Sequence, residues 1–297
     1  MTFEPMRGVI APILTPFNND LSIATDLYID LANRLLDQGC AGLAPFGTTG
    51  EALSVGIDER IRALGALVKA GIEPARLIPG TGLSNIADTA RLSRACLDLG
   101  CPAVMTLPPF YFKAVNEDGL YRYFAELLKA IGSDARVFLY HIPPIAIVGI
   151  PPSLTARLHG DFPEQIIGIK DSSGDWENTQ RLFEIDGLVV YPGSELPLID
   201  ALQLGGPGCI TATANVNAKA IAGVVELFDQ GDIDAARKAH EAVRQTRLTI
   251  QEHAPIPAQK RLLAMQTGDA RWANVRPPLC GMSESDGKNL AAALKWD

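Results

Sequence analysis

Lys170 ends the run Ile166-Ile167-Gly168-Ile169-Lys170-Asp171, so an amine stands where an unbroken apolar stretch stops. Burial disfavours a charged ammonium, and only an unprotonated amine attacks a ketone to form a Schiff base. Tyr140 ends a second apolar run, Val137–Tyr140, and is followed by His141-Ile142-Pro143-Pro144. A phenol in that position can pass protons to and from a reacting carbonyl. Taken singly, each residue also has an ordinary reading. A strand-end lysine can leave for solvent on a buried stem, and a core-edge tyrosine can place its hydroxyl on backbone.

A third group is Gly47-Thr48-Thr49-Gly50-Glu51. Its glycines permit tight turns, and its hydroxyls and amides are donors suited to a carboxylate. The same residues fit an ordinary capped helix start, with Thr49 as cap and Glu51 favoured by the helix dipole. The loop Pro108-Pro109-Phe110-Tyr111-Phe112 is aromatic and suits a lid or a subunit contact. Thr211-Ala212-Thr213-Ala214-Asn215 is small and polar, able to offer backbone carbonyls to a site floor. His159, His240 and His253 lack metal-ligand spacing and are expected to pack or face solvent, and capping is expected to explain Glu51 and Asp171. No metal site is expected.

Elements must bring these groups together. Apolar runs of strand character occur at Gly8–Leu14, Gly42–Pro45, Ala75–Gly80, Ala103–Leu107, Val137–Tyr140, Ile166–Lys170, Val189–Tyr191 and Gly208–Thr211. Between them, stretches such as Ala24–Gln38, Asp58–Ala70, Ile86–Leu99 and Gly119–Ile131 repeat apolar residues at three- and four-residue spacing, as amphipathic helices require. Strands alternating with helices in this number predict an α/β fold, a (β/α)8 TIM barrel of roughly 250 residues. The competing doubly wound sheet would place a Gly-rich GxGxxG turn after its first strand, and none stands there. Ile233–His253 and Pro257–Gln266 continue the helical pattern, so residues 1–228 are expected to form the barrel and 229–297 a C-terminal helical appendage. Active sites of such barrels lie at the C-terminal strand ends, where Lys170 and Tyr140 stand. If their strands are neighbours, ~4.8 Å apart, both side chains can converge on one small molecule.

A chain of 297 residues, 47% hydrophobic, can bury a large core. The net charge of −8 argues against nucleic-acid or anionic-membrane partners. The five cysteines are scattered with no CxxC pair, which fits reduced thiols and a cytoplasmic protein. Met1–Arg7 has no secretory pattern, and the apolar stretch Val137–Ile150 is broken by His141, Pro143 and Pro144, so no membrane span is expected.

In this order, Gly47-Thr48-Thr49-Gly50-Glu51, Tyr140-His141-Ile142-Pro143 and Gly168-Ile169-Lys170-Asp171 resemble the dihydrodipicolinate synthase/N-acetylneuraminate lyase family. The resemblance runs from about Gly8 to at least Leu279 and includes Pro255-Ile256-Pro257-Ala258 and Arg276-Pro277-Pro278-Leu279. It implies a class I aldolase that uses pyruvate, with no cofactor beyond the imine on Lys170. It further implies that Lys170 is the Schiff-base lysine and Tyr140 the proton relay, coupled to Thr48, with Gly47, Thr48 and Thr49 around the pyruvate carboxylate. The Ile210 backbone carbonyl would face the site. Tyr111 would reach a neighbouring subunit's site, which implies a homo-oligomer built as a dimer of dimers.

The departures bear on substrate. Ile145 stands where the dihydrodipicolinate synthases carry an arginine for their second substrate, His141 stands in place of an asparagine, and Gly149 comes two residues later than the usual glycine. The Lys170–Asp175 motif is closer to aldolases of 2-keto-3-deoxy acids and 4-hydroxy-2-oxoglutarate. Ile145, Ile147 and Val148 at the entrance suggest a less charged aldehyde partner. The expected reaction is therefore cleavage of a 2-oxo acid to pyruvate and an aldehyde, or the reverse. Alternatives are 4-hydroxy-tetrahydrodipicolinate synthase, a keto-deoxy sugar acid dehydratase, and a non-catalytic 2-oxo-acid sensor.

Overall fold

The alternation of apolar runs and amphipathic stretches becomes seven strands and twelve α-helices among the residues described, 3–296 of the computed structural model. Met1, Thr2 and Asp297, the outer ends of the two expected segments, lie outside the described residues. In chain order the elements are β1 (Gly8–Ala11), α1 (Thr25–Asp37), β2 (Cys40–Leu43), α2 (Ile57–Lys69), α3 (Ile86–Asp98), β3 (Val104–Thr106) and α4 (Glu117–Ile131). They continue with β4 (Val137–His141), α5 (Pro143–Ala146), α6 (Pro152–Asp161), β5 (Ile166–Asp171), α7 (Trp176–Phe183), β6 (Val189–Pro192) and α8 (Leu198–Gln203). Last come β7 (Gly208–Ile210), α9 (Ala214–Asp229), α10 (Ile233–Gln251), α11 (Pro255–Thr267) and α12 (Glu284–Ala293).

Two compact units share the chain. One joins the residues up to Arg7 to Glu73–Ile210; the other joins Gly8–Ile72 to the segment from Thr211 onward. In the first unit β3, β4, β5 and β6 form a parallel sheet in that order. Both faces of a parallel sheet are covered, so its strands read as continuous apolar runs, and every residue of β4 and β5 is buried. Phe138 packs against Phe3 on one side and Tyr191 on the other, ring centroids 5.7 Å apart in each case. Gly168 makes this spacing possible: a Cβ there would meet the Phe138 ring and the Val189 carbonyl, each at 2.4 Å.

Helix ends in this unit follow local chemistry. The Asn116 side chain accepts the Gly119 N–H at 2.9 Å, and Glu117 and Asp118 fill the first turn of α4. Leu120, Phe124, Leu127, Leu128 and Ile131 form its buried stripe. Each such side chain contributes about 1.5–3 kcal/mol of burial.

The strand expected over Ala75–Gly80 is not formed. Pro74–Arg76 is a 3-10 turn, and pairing shrinks to a parallel bridge between Gly80 and Met105. Met105 N–H donates to the Pro79 carbonyl at 2.8 Å and Thr81 N–H to the Met105 carbonyl at 2.9 Å. Pro79 has no N–H, so the ladder cannot run back through it.

In the second unit β1 and β2 pair in parallel, with Ile10 opposite Gly42 and Ala11 opposite Leu43. Beyond residue 229 the described chain carries α10, α11, a 3-10 turn at Ala270–Ala273 and α12, and Ile250 of α10, Ala258 and Leu262 of α11, and Leu290 and Ala291 of α12 share one buried cluster.

Candidate active site

Lys170 and Tyr140 meet in the first unit. The register of β4 and β5 sets Tyr140 opposite Lys170, as the expected neighbouring of their strands requires. Lys170 Nζ donates to Tyr140 Oη at 3.2 Å and sits 4.3 Å from the tyrosine ring centroid. Lys170 is 3% exposed and Tyr140 4%, so the amine does not snorkel into solvent. The ordinary reading of a strand-end lysine therefore does not hold.

The next residue pair supports them. His141 lies opposite Asp171, and both are buried. The Asp171 carboxylate accepts the Thr179 hydroxyl at 2.7 Å, the Ser173 N–H at 2.9 Å and the Asn178 amide at 3.0 Å. Asp171 is thus a strand-end anchor for the following turn, while Asp175 is the cap of α7; simple capping does not explain Asp171. His141 Nδ1 accepts the Ile150 N–H at 2.7 Å, which requires that nitrogen to carry no proton. Burial holds His141 below the usual imidazole range, with the Asp171 carboxylate pulling the other way.

Backbones crowd at the end of this sheet. Gly193 N–H donates to the Asp171 carbonyl at 2.6 Å, and a Cβ on Gly193 would lie 1.8 Å from Ser172 Oγ. Ile210 closes β7 with its side chain fully buried, so its backbone is the part with polar chemistry to offer. Tyr111 stands out in solvent, 76% exposed, its ring edge-on to Phe112. Ile145 and Ile147 are also exposed, and Lys113 Nζ donates to the Phe110 and Ala146 carbonyls, tying the aromatic loop to α5.

Gly47, Thr48 and Thr49 belong to the second unit, where Gly47 is buried and the threonines are half-buried. The helix start expected here is absent. Gly50 N–H donates to the Gly47 carbonyl and Glu51 N–H to the Thr48 carbonyl, each at 3.1 Å, making a tight turn. A 3-10 turn, Ala52–Ser54, follows with no side-chain cap, so neither Thr49 nor Glu51 caps a helix. Thr15 Oγ1 donates to the Gly50 carbonyl at 2.7 Å, and a Cβ on Gly50 would lie 2.9 Å from the Ile13 carbonyl.

Glu51 instead receives a hydrogen bond from Lys260 Nζ in a fully buried ion pair. Burial pulls Lys260 below the usual lysine range, opposed by Glu51. Lys260 was missed by sequence reasoning, because a lone lysine inside an amphipathic helix carries no signal of a partner this distant along the chain. The 211–215 segment is also used internally: Asn215 Nδ2 donates to the Ala212 carbonyl at 2.8 Å and to the Pro12 carbonyl at 3.1 Å, and its Oδ1 accepts the Leu14 N–H at 3.0 Å. The Ala212 carbonyl is therefore already engaged. Among the histidines, His159 bonds the Ile166 and Asp186 carbonyls, and His240 is buried in α10.

Parallel strands alternating with helices, together with the match to a solved structure given below, make this a protein of the (β/α)8-barrel class with a C-terminal helical region. Residues 5–296 match the dihydrodipicolinate synthetase family, and the chain belongs to that family. A protein of Chloroflexus aurantiacus called an uncharacterized DapA-like lyase is 38% identical, the match covering 98% of this chain and 97% of that one. A 4-hydroxy-tetrahydrodipicolinate synthase of Thermus thermophilus is 35% identical over 92% of this chain and 90% of its own. The crystal structure of dihydrodipicolinate synthase from Agrobacterium tumefaciens superposes with a TM-score of 0.88 at 34% identity, covering 97% of this chain and 98% of that chain. No helix among the described residues is long and apolar enough to cross a membrane.

Proposed function

We propose that this protein is a Schiff-base lyase that cleaves a 2-oxo acid to pyruvate and an aldehyde, or runs the reverse condensation. The observation that carries the reading is the 3.2 Å contact between buried Lys170 Nζ and Tyr140 Oη at paired strand ends. The unprotonated amine adds to C2 of the 2-oxo acid, and loss of water from the carbinolamine gives an iminium. The C4 hydroxyl gives up its proton as the C3–C4 bond breaks. The bonding pair moves into the iminium, leaving an enamine and releasing the aldehyde. Tyr140 passes the proton on to C3, and hydrolysis of the imine returns pyruvate and the free amine. No cofactor is required by this scheme.

The family resemblance assigns Thr48, Thr49 and Gly47 to the carboxylate and the Ile210 carbonyl to the site wall. It gives Tyr111 to a neighbouring subunit's site in a dimer of dimers, which suits a tyrosine so exposed in the single chain. Residues 1–228 would form the catalytic barrel and 229–297 the helical region. The free thiols of all five cysteines fit a cytoplasmic enzyme. Exposed, apolar Ile145 and Ile147 favour an aldehyde with little charge, as in aldolases of 2-keto-3-deoxy acids or 4-hydroxy-2-oxoglutarate. A second reading, 4-hydroxy-tetrahydrodipicolinate synthase, is favoured by the name of the Thermus relative.

Borohydride reduction in the presence of pyruvate tests the chemistry. The expected result is a stable adduct mapped to Lys170 by mass spectrometry, and an adduct elsewhere or none overturns the proposal. Assays of pyruvate release from a panel of 2-oxo acids, beside condensation with aspartate semialdehyde, then separate the two readings.

A further inference from the structure

Behind the Thr48–Thr49 turn, the second unit holds a set of charges that the chemistry above does not use. Lys260, on α11, donates to Glu51 and, at 2.8 Å, to the Asn274 carbonyl. The other Glu51 oxygen accepts the Arg276 N–H at 3.0 Å. Two cations approach Phe17, with Lys260 Nζ 4.4 Å and Arg276 Cζ 4.6 Å from its ring centroid. Arg276 is itself fixed, donating to the Ser54 carbonyl at 2.7 Å, to the Leu21 carbonyl at 2.7 Å and to both Glu59 oxygens. Arg60, also buried, donates to the Ala52 and Val55 carbonyls of the chain that follows the turn.

Such an arrangement is costly. Both side chains of the Glu51–Lys260 pair are fully buried, and burying two charges often costs as much as their attraction returns. The turn they adjoin is strained as well: Phe46 and Glu51 hold φ of 58° and 53°, the left-handed region that non-glycine residues avoid. A strained conformation persists only where its surroundings over-determine it, and here the Glu51 side chain is the handle. Thr48 and Thr49 are the half-buried residues on this turn, between buried Gly47 and Gly50.

We propose that the Glu51–Lys260 pair, with the Arg276 N–H, is a positioning device that sets the two threonines for the carboxylate of a 2-oxo acid. The inference rests on the assignment of Thr48 and Thr49 to that carboxylate. It gives α11 and the segment around Arg276 a part in substrate selection, although neither touches the substrate.

The test compares borohydride trapping of pyruvate with that of acetone, a ketone without the carboxylate. Lys260→Met alone strands a buried carboxylate, so the main variant is Glu51→Gln/Lys260→Met, which removes both charges and keeps the volume. Glu51→Asp, which keeps the charge on a shorter arm, is the second. In folded variants, judged by near-ultraviolet circular dichroism, the preference for pyruvate over acetone is expected to fall about tenfold or more in the double variant. Glu51→Asp is expected to move in the same direction, with acetone trapping on Lys170 retained in both. A wild-type preference in either folded variant overturns the proposal, as does an equal loss for both ketones. No Lys170 adduct in the unaltered protein would sink the lyase reading itself, and an adduct without preference for pyruvate would sink the threonine assignment and this inference with it.

Discussion

His141 and Asp171 face each other across β4 and β5, one residue beyond Tyr140 and Lys170. The pair locks both strands where they leave the sheet. His141 takes the Ile150 N–H and Asp171 takes three donors from the turn before α7 and its first residues. Tyr140 and Lys170 thus stand on the last residues before each strand is tied off.

Tyr140→Phe keeps the ring beside Lys170 and deletes the oxygen. Imine trapping with pyruvate is expected to survive, while turnover falls roughly 10²–10⁴-fold, the usual contribution of a positioned proton-transfer group. Single-turnover trapping and steady-state rates on one preparation check this. Equal rates in variant and wild type would remove Tyr140 from the relay.

His141 is held below its ordinary 6.5 by burial. The unfolded chain therefore binds a proton that the folded chain resists. The stabilisation is fully present above 6.5 and is lost as pH falls through the depressed folded value. Urea midpoints from about pH 7.5 down to about pH 5 are expected to drop more steeply for wild type than for His141→Asn. Parallel curves would contradict the assignment.

Glu59 gives a second acid dependence. The Arg276 guanidinium bonded to it lowers its carboxyl from 4.5 to about 2. The stability this supplies is complete above 4.5 and disappears as pH falls towards about 2. Glu59→Gln is expected to be less stable at neutral pH and to lose less on acidification, as read by thermal unfolding. An acid response equal to wild type would refute it.

Gly168→Ala adds a methyl where the Phe138 ring and the Val189 carbonyl leave 2.4 Å. Overpacking of this kind costs about 1–3 kcal/mol. A lowered denaturation midpoint with an unchanged denaturant slope is the expected outcome. A neutral effect would mean that β4, β5 and β6 can part at little cost.

Much of this was legible in the amino-acid order. Apolar runs found their strands within a few residues, and the adjacency of the strands ending in Tyr140 and Lys170 followed from barrel connectivity. Ala75–Gly80 misled because its apolar character is real while Pro79 removes the donor a ladder needs. Glu51 misled for a different reason: a carboxylate two residues after a threonine looks like a helix start, and its partner Lys260 is 209 residues away. Local propensity carries no trace of a pairing made only in the folded chain. Asn215, which holds Pro12 and Leu14 from more than 200 positions along the chain, was hidden in the same way.

The bond from Ile150 to His141 shuts the base of the excursion that runs over residues 142–149. Ile145 and Ile147 are the exposed large apolar residues of that closed ring, while Ile142, Ala146 and Val148 are buried. On the proposed lyase chemistry, new residues at Ile145 and Ile147, between these two fixed points, are a route to altered aldehyde choice.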